Sequence, residues 1–350
     1  MTATCEFTRF DYPNLVSAGE EVFLNPDGGS IALFSTTRLV YASLNYDLNS
    51  TFYRYVFKKN RQGKYMRFGD VVRLTKNFTG SSNNKRNFSL FGDPALRMPA
   101  SNNKIQTYSL ITNENKQNDT INALDKIILY GKIVDDKGQR VENFDGTLSL
   151  KLFDKKHMKT TLANDGEEKF SYPIRDNILF SGQSKVTEGY FKSEFIVPKS
   201  ILPEIGRGKI TYFTKDGNRI VQDYYNQFYV GGFSGNNLND KNGPDIEIYM
   251  NDEEFVSGGI TNENPVLHAK LKDQSGINIS GAGIGHNLVM ILDNKPEEKY
   301  ILNRHYHAEQ DNYQKGRVQY QMSNLEKGKH QLNLKAWDIN GNPSSAQIEF

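Results

Sequence analysis

Apolar residues in the first hundred positions follow two spacings. A three-to-four-residue repeat, typical of amphipathic helices, occurs at residues 15–23, 39–58 and 68–74. Continuous apolar runs occupy residues 31–34 and 88–91, as in strands that are buried on both faces of a parallel sheet. Helices that alternate with such strands predict an α/β domain with a parallel sheet.

Beyond residue 100 the pattern changes to alternating apolar and polar positions between Asp- and Gly-rich turns, which predicts strands. A first group of strands is predicted at residues 127–135, 146–153, 190–197, 208–214 and 222–230. After a linker-like stretch at 231–244, a second group is predicted at 246–250, 266–272, 287–292, 317–321 and 330–337. We therefore predict α/β structure at 1–100 and two all-β, immunoglobulin-like sandwich domains at 101–235 and 236–350, the last one truncated at its C-terminal end.

Charge and composition exclude several classes of protein. The 350 residues include 43 Lys and Arg against 41 Asp and Glu, so no charged field indicates nucleic-acid binding. Since Cys5 is the single cysteine, an internal disulfide framework and a cysteine-based zinc site are excluded. No apolar run reaches the roughly 18–20 residues of a membrane helix. Both ends look like truncations within a domain, so the missing secretory signal indicates nothing about location.

Two interpretations of Cys5 compete. A lone cysteine is most often a small buried hydrophobic residue, and position alone favours that interpretation. The alternative is a thiolate nucleophile. Cys5 is predicted to end a strand just before polar residues and a helix, where α/β folds expose reactive groups.

Three stretches resemble the gingipain-like cysteine peptidases, whose domain is caspase-like. They are TATCEFTRFD (2–11), GGSIALFSTTR (28–38) and FSLFGDPALRM (88–98). In that family the nucleophile follows a core strand and precedes a Phe-Asp pair, a spacing that Cys5 and Phe10-Asp11 match. A Gly-Asp-Pro sequence near the end of the family's peptidase domain matches residues 92–94.

The resemblance implies roles for several residues. Cys5 would be the nucleophile, and its backbone N–H would contribute to the oxyanion hole. The strand that follows leads into the loop that shapes the specificity pocket, so Ser35, Thr36 and Thr37 are candidates for its wall, with Arg38 beside them.

The chain resembles one branch of the family more closely, the surface sortases of the type IX secretion system of Bacteroidota. Residues 249–265, 275–288 and 334–344 are similar to that branch. The resemblance implies a cysteine endopeptidase that removes the C-terminal sorting domain of secreted cargo through a thioester and transfers the cargo to an amine of anionic lipopolysaccharide. The implied partners are cargo, lipopolysaccharide and other components of the outer-membrane secretion complex, and the implied location is the outer-membrane surface of the cell.

One departure from the family concerns the catalytic histidine, which precedes the nucleophile in a His-Gly context and has no counterpart here. The histidines all lie in the predicted sandwich region and are expected to be surface or loop residues: His157, His268, His286, His305, His307 and His330. Because its base is absent, the fragment is expected to be inactive alone. The alternative is a non-catalytic β-sandwich surface or adhesion protein with a remnant peptidase domain.

No cofactor is expected. Asp245, Asp252 and Asp338 offer hard oxygen ligands for a structural Ca²⁺, but no EF-hand spacing is present, so turn formation is favoured. His305 and His307 would project from one face of a strand, and a solvated pair is favoured because no third metal ligand is apparent.

Overall fold

The computed structural model describes residues 1, 4–26, 28–80, 83–99, 101–113, 116–117, 119–235, 240–281, 285–297 and 299–350. The chain divides into two compact units, 1–102 and 103–350. The division lies close to the predicted boundary after residue 100. Over the described ranges, no helix combines the length and the apolar character needed to cross a membrane.

The first unit contains short helices and strands around a small aromatic core. Its elements are α1 (Ala18–Leu24), β1 (Leu33–Thr36), α2 (Ala42–Val56), α3 (Phe68–Phe78) and β2 (Phe88–Phe91). The core includes Phe34, Leu48, Phe52, Val71 and Phe88, all buried. The Phe34 ring lies 5.5 Å from Phe52 and 5.4 Å from Phe88, measured between centroids. These contacts attach the helices to the two-stranded sheet.

The prediction of a parallel sheet in the first unit is wrong for the two strands that the structure shows there. β1 and β2 pair in antiparallel register, with Leu33 opposite Phe91 and Thr36 opposite Phe88. The helical connection therefore starts and ends at the same end of the sheet, whereas a parallel pair needs a crossover to the opposite end. β1 also begins two residues later than the apolar run predicts, and Ile31 is 71% exposed.

The first part of the second unit is a folded antiparallel sheet with small accessory sheets. Its strands are β3 (Lys104–Thr112), β4 (Lys116–Gln117), β5 (Thr120–Ala123), β6 (Lys126–Val134), β7 (Gly146–Phe153), β8 (His157–Thr160), β9 (Ser171–Ile174), β10 (Ile178–Thr187), β11 (Tyr190–Ile196), β12 (Gly206–Arg207), β13 (Lys209–Asp216), β14 (Arg219–Tyr225) and β15 (Tyr229–Phe233). The main sheet has the order β14-β13-β7-β10-β11-β6-β3-β4. β10 and β11 pair only next to their turn, and farther along the rings of Phe180 and Phe195 stack at 4.4 Å. The sheet thus folds at this hairpin into two layers around a core.

The second part is a sandwich of two four-stranded antiparallel sheets. Its strands are β16 (Asp245–Met250), β17 (Val266–Lys272), β18 (Val289–Leu292), β19 (Lys299–Ile301), β20 (Tyr306–Glu309), β21 (Asn312–Gln321), β22 (Gln331–Trp337) and β23 (Pro343–Glu349). The sheets have the orders β16-β17-β21-β20 and β19-β18-β22-β23. Their facing side chains form a second apolar core. The chain is mostly β, and the immunoglobulin-like and caspase-like assignments stay predictions.

The two parts of the second unit share side-chain contacts. Phe180 of β10 packs against both apolar cores, and the Ser181 hydroxyl lies 3.0 Å from His307 Nδ1 of β20. Residues 103–350 form one compact unit, and the division into two sandwich domains at residue 235 stays a prediction. Of the predicted linker at 231–244, the start belongs to β15, and residues 236–239 lie outside the described residues.

Candidate active site

Cys5 lies in a segment of turns that runs along the end of β1. A strand is predicted to end at this cysteine, but residues 4–8 are not extended. Glu6 has a φ of 49°, a left-handed conformation that is incompatible with a strand. Its N–H donates to the Arg38 carbonyl at 3.4 Å, and the Thr8 N–H donates to the Thr36 carbonyl at 2.9 Å. Contacts to the last residue of β1 and to the loop that follows it thus replace strand pairing.

Thr36 is the main anchor of this segment. Its side chain is fully buried, its hydroxyl donates to the Thr4 carbonyl, and its oxygen accepts a 3.4 Å hydrogen bond from the Phe7 N–H. One side chain therefore binds the backbone on both sides of Cys5. Because the buried hydroxyl both donates and accepts a hydrogen bond, it holds the cysteine segment in place.

The Cys5 thiol is free and exposed. Its Sγ donates a hydrogen bond to the Val40 carbonyl at 3.3 Å. Cys5 is therefore not the small buried hydrophobic residue that the first of its two interpretations describes. The hydrogen bond to Val40 requires the neutral thiol, so a reaction through the thiolate requires that this bond break.

The Phe10-Asp11 pair that follows the cysteine contacts the loop after β1 and the last residue of β2. Asp11 forms a bidentate ion pair with Arg38, one arm of which measures 2.9 Å. The hydrogen bond from Arg38 lowers the pKa of Asp11 below its ordinary value. The Phe10 ring meets Phe91 of β2 edge-to-face at 5.5 Å. These contacts connect the cysteine segment to the loop after β1 and to β2.

The three candidates for the pocket wall occupy different environments. Ser35 and Thr36 have no exposed surface, so neither side chain can touch a substrate in this conformation. Thr37 is half-buried, and its hydroxyl donates to the Asn87 carbonyl at 3.2 Å. The Asn87 side chain in turn donates to the Leu39 carbonyl at 2.9 Å. Asn87, which sequence reasoning missed, thus braces the loop beside Cys5.

The histidines of the second unit have different contacts and do not form a cluster among the described residues. His330 Nδ1 lies 2.9 Å from Asp293, and His286 packs on Trp337 with a 4.5 Å centroid distance. His305 and His307 do not form the expected pair on one strand, because His305 belongs to the 3-10 turn before β20. Residues 1–102 contain no histidine in their sequence, so the first unit does not supply an imidazole base.

Three carboxylates meet in the second unit. Single oxygens of Asp240, Asp273 and Asp338 lie within 4.8 Å of one another, whereas the other calcium candidates, Asp245 and Asp252, are not in this group. Burial raises the pKa of Asp273 and of Asp338 above the ordinary range. Both also accept hydrogen bonds within their own turns. Of these three carboxylates, sequence reasoning singled out only Asp338, because Asp240 and Asp273 are distant from it along the chain.

The comparisons with known proteins bear on the cysteine-containing segment. Residues 1–99 match the model of peptidase family C25. The N-terminal segment is gingipain-like. This finding confirms the family resemblance of residues 2–11, 28–38 and 88–98, all of which lie within the matched range.

Two solved structures are similar over larger parts of the chain. Dimeric latent PorU from Porphyromonas gingivalis is 26% identical, with a TM-score of 0.43, and the match covers 92% of this chain and 31% of that one. The complex of RgpB pro- and mature domains from the same organism is 14% identical, with a TM-score of 0.25, over 65% of this chain and 44% of that one. This chain therefore spans about a third of the length of PorU. No curated protein sequence matches it.

Proposed function

We propose that this gingipain-like chain belongs to a cysteine endopeptidase and that Cys5 is its nucleophile. The observation that carries the proposal is the exposed Cys5 thiol within the C25-like segment. A lone cysteine kept for packing is usually buried. The Thr36 anchor and the Asp11–Arg38 pair support the proposal, because they hold the thiol at the surface.

The proposed reaction is acyl transfer. A histidine outside residues 1–102 takes the Cys5 proton, and the thiolate attacks the scissile carbonyl carbon. The backbone N–H of Cys5 helps to hold the oxyanion. The peptide C–N bond breaks as the imidazolium protonates the leaving amine, and a thioester remains. The histidine then takes a proton from an incoming amine, whose nitrogen forms a new amide bond as the C–S bond breaks and releases the thiolate.

The finer assignment follows from the resemblance to surface sortases. We propose that the substrate is secreted cargo with a C-terminal sorting domain, and that the accepting amine belongs to anionic lipopolysaccharide at the outer-membrane surface. Other components of the outer-membrane secretion complex are the proposed partners of the β-rich unit, where residues 236–350 present exposed apolar side chains such as Val256 and Ile260, the latter 97% exposed.

The test is Cys5→Ala in the full-length protein with cargo and an amine acceptor. Loss of several orders of magnitude in cargo cleavage is expected, since no other residue can form the thioester. Ser50→Ala, at an exposed position of α2, is the matched control and should retain activity. Cleavage by Cys5→Ala at the normal rate would overturn the catalytic assignment.

Product analysis tests the sortase assignment separately from the peptidase assignment. Mass spectrometry of the cleaved cargo should show the amine adduct at the new carboxyl end. Cleavage that yields only the free acid, even with excess amine, would contradict the sortase assignment while leaving the peptidase assignment intact. Cargo that is bound but never cleaved by the wild-type protein would support the non-catalytic surface-protein alternative, which the large β-rich unit favours.

A further inference from the structure

A cavity rich in cations opens beside β12 in the second unit. Its volume is about 470 Å³, and its lining includes Lys156, Arg175, Arg207 and the carboxylate-bearing Glu204. We call it the basic pocket, defined by Lys156, Arg175 and Arg207. A volume in this range is ordinary for a site that binds a small organic molecule.

The charges of the basic pocket do not balance. The neighbouring Lys155 is buried and paired with Asp154 at 3.0 Å. Lys156, Arg175 and Arg207 form no ion pair among the described residues, although the Arg207 guanidinium stacks over the Tyr229 ring at 5.2 Å. His157, which also lines the cavity, pairs with Asp176 at 3.5 Å. Glu204 is the single carboxylate in the lining. Three cations without an ion pair therefore share the lining with one carboxylate, and Asp154 acts electrostatically on one of them, Arg175. The lining as a whole has an excess of positive charge.

Among the described residues, the Arg175 guanidinium has an acceptor for one of its nitrogens, Nη2, but not for Nε. Its Nη2 donates to the Arg207 carbonyl at 2.9 Å, while its Nε is buried and has no hydrogen-bond partner within the described part of the chain. Desolvation also lowers the pKa of Arg175 from its ordinary value. A partly buried guanidinium without an acceptor for Nε is costly, and an oxyanion is the group that guanidinium geometry fits best.

Apolar surface lies next to the cations. Leu202 and the 68% exposed Ile205 line the same cavity, and the Leu202 carbonyl accepts from Lys155 Nζ at 2.8 Å. The cavity is larger than an inorganic anion requires. A ligand that fills it therefore combines an anionic group with an organic part that contacts these two side chains.

We propose that the basic pocket binds a phosphate monoester. At neutral pH such a group carries close to two negative charges and three acceptor oxygens, which match the unpaired cations of Lys156, Arg175 and Arg207. Arginine and lysine are the side chains that recognise phosphate in proteins. The site is independent of Cys5 and of the proposed peptidase activity.

The experiment is calorimetric titration of the full chain with phenyl phosphate, with phenol as the neutral analogue. Phenyl phosphate should bind at least tenfold more tightly than phenol. Arg175→Gln and Lys156→Gln should each weaken its binding about tenfold, as expected for loss of a charge-assisted contact. Lys137→Gln, at an exposed turn of the same unit, is the matched control and should leave the affinity unchanged.

Several results would overturn the proposal. These are equal binding of phenol, unchanged affinity in Lys156→Gln, or an equal loss in Lys137→Gln. Lys156 is exposed, so its variant remains informative if Arg175→Gln does not fold. Phthalate binding as tightly as phenyl phosphate would overturn the assignment to phosphate.

Sedimentation with vesicles distinguishes the sources of the ester. The ester belongs to a lipid if the protein sediments with phosphatidic acid vesicles but not with phosphatidylcholine vesicles, and if phenyl phosphate competes with that binding. Phenyl phosphate binding without sedimentation would assign it to a soluble molecule.

Discussion

The hydroxyl of Thr36, buried at the end of β1, donates a hydrogen bond to the carbonyl of Thr4, the residue before Cys5. The two residues are 32 positions apart in the chain. This bond, together with the one that Thr36 accepts from Phe7, makes the position of the proposed nucleophile depend on a side chain of the core strand. Thr36 therefore acts as a positioning residue rather than as a wall of the pocket.

Thr36→Val should loosen the cysteine segment. The substitution keeps the side-chain shape but leaves the Thr4 carbonyl and the Phe7 N–H without their partner, which costs about 1–2 kcal/mol. Alkylation of Cys5 by iodoacetamide should become faster, because the exposed thiol loses its fixed hydrogen bond to Val40. The measurements are urea unfolding and the alkylation rate. Thr75→Val is the control, because Thr75 is a buried residue of α3 whose hydroxyl donates to the Val71 carbonyl at 2.7 Å and not to the cysteine segment. Identical alkylation rates in Thr36→Val and wild type would contradict the anchoring role.

Lys155→Met should strongly destabilise the second unit. Lys155 and Asp154 form a buried ion pair at 3.0 Å, and removal of the lysine leaves the buried Asp154 carboxylate with the Asn177 amide as its side-chain partner. An uncompensated buried charge typically costs about 3–5 kcal/mol. Urea unfolding measures the loss.

The control for that experiment is an exposed ion pair of the same unit. Lys192→Met removes the lysine that pairs with Glu194 at the surface, where such a pair contributes about 0–1 kcal/mol. Equal destabilisation by Lys155→Met and Lys192→Met would show that burial does not determine the difference.

Asp273→Asn should reduce the dependence of stability on pH in the interval that begins at the unfolded Asp pKa of about 3.9 and ends at the folded value. Burial raises the folded-state pKa of Asp273 above the unfolded value, so the folded state binds more protons and stability falls as pH rises through this interval. The variant retains the acceptor for the Ser275 N–H and removes the buried charge. It should therefore be at least as stable as wild type near neutral pH.

Fluorescence of Trp337, the single tryptophan, can follow this unfolding, since Trp337 adjoins Asp338 of the carboxylate group. Asp135→Asn is the matched control, because Asp135 accepts the same kind of turn hydrogen bond at 2.9 Å and lies outside the group. A variant with an unchanged pH dependence would contradict the effect of burial on Asp273.

His330 should contribute stability on the acidic side of neutrality. The hydrogen bond to the Glu326 carbonyl and the contact with Asp293 raise the pKa of His330. The contribution is complete below the unfolded pKa of about 6.5 and is lost as pH rises through the folded value. His330→Gln should thus cost more stability near pH 6 than near pH 9.

Titration of the His330 ring by NMR gives the direct measurement. Asp293→Asn should lower the His330 pKa only in part, because the Glu326 carbonyl, which is the larger cause, remains. A His330 pKa at or below its ordinary value in the wild-type protein would contradict the prediction.

The local pattern of apolar residues was sufficient to predict the helices and strands that have a regular apolar repeat. α2 and α3 appear where the helical spacing places them, and β7 and β17 match their predicted ranges. β10 was missed because small and polar residues interrupt its alternation. One interior serine of that strand, Ser184, is buried and satisfied by the Ser193 hydroxyl of β11 at 2.5 Å, a contact that the apolar pattern does not contain.

The sequence by itself determined the gingipain-like character of the first hundred residues, the single cysteine and the lack of a histidine beside it. These properties depend on which residues are present and on their short-range spacing. Only the tertiary structure decided that β1 pairs antiparallel with β2, that Thr36 anchors Thr4, and that Asp240 and Asp273 join Asp338. Each of these outcomes joins groups that are far apart in the chain, and their free energy depends on burial and hydrogen-bond geometry that exist only once the chain has folded.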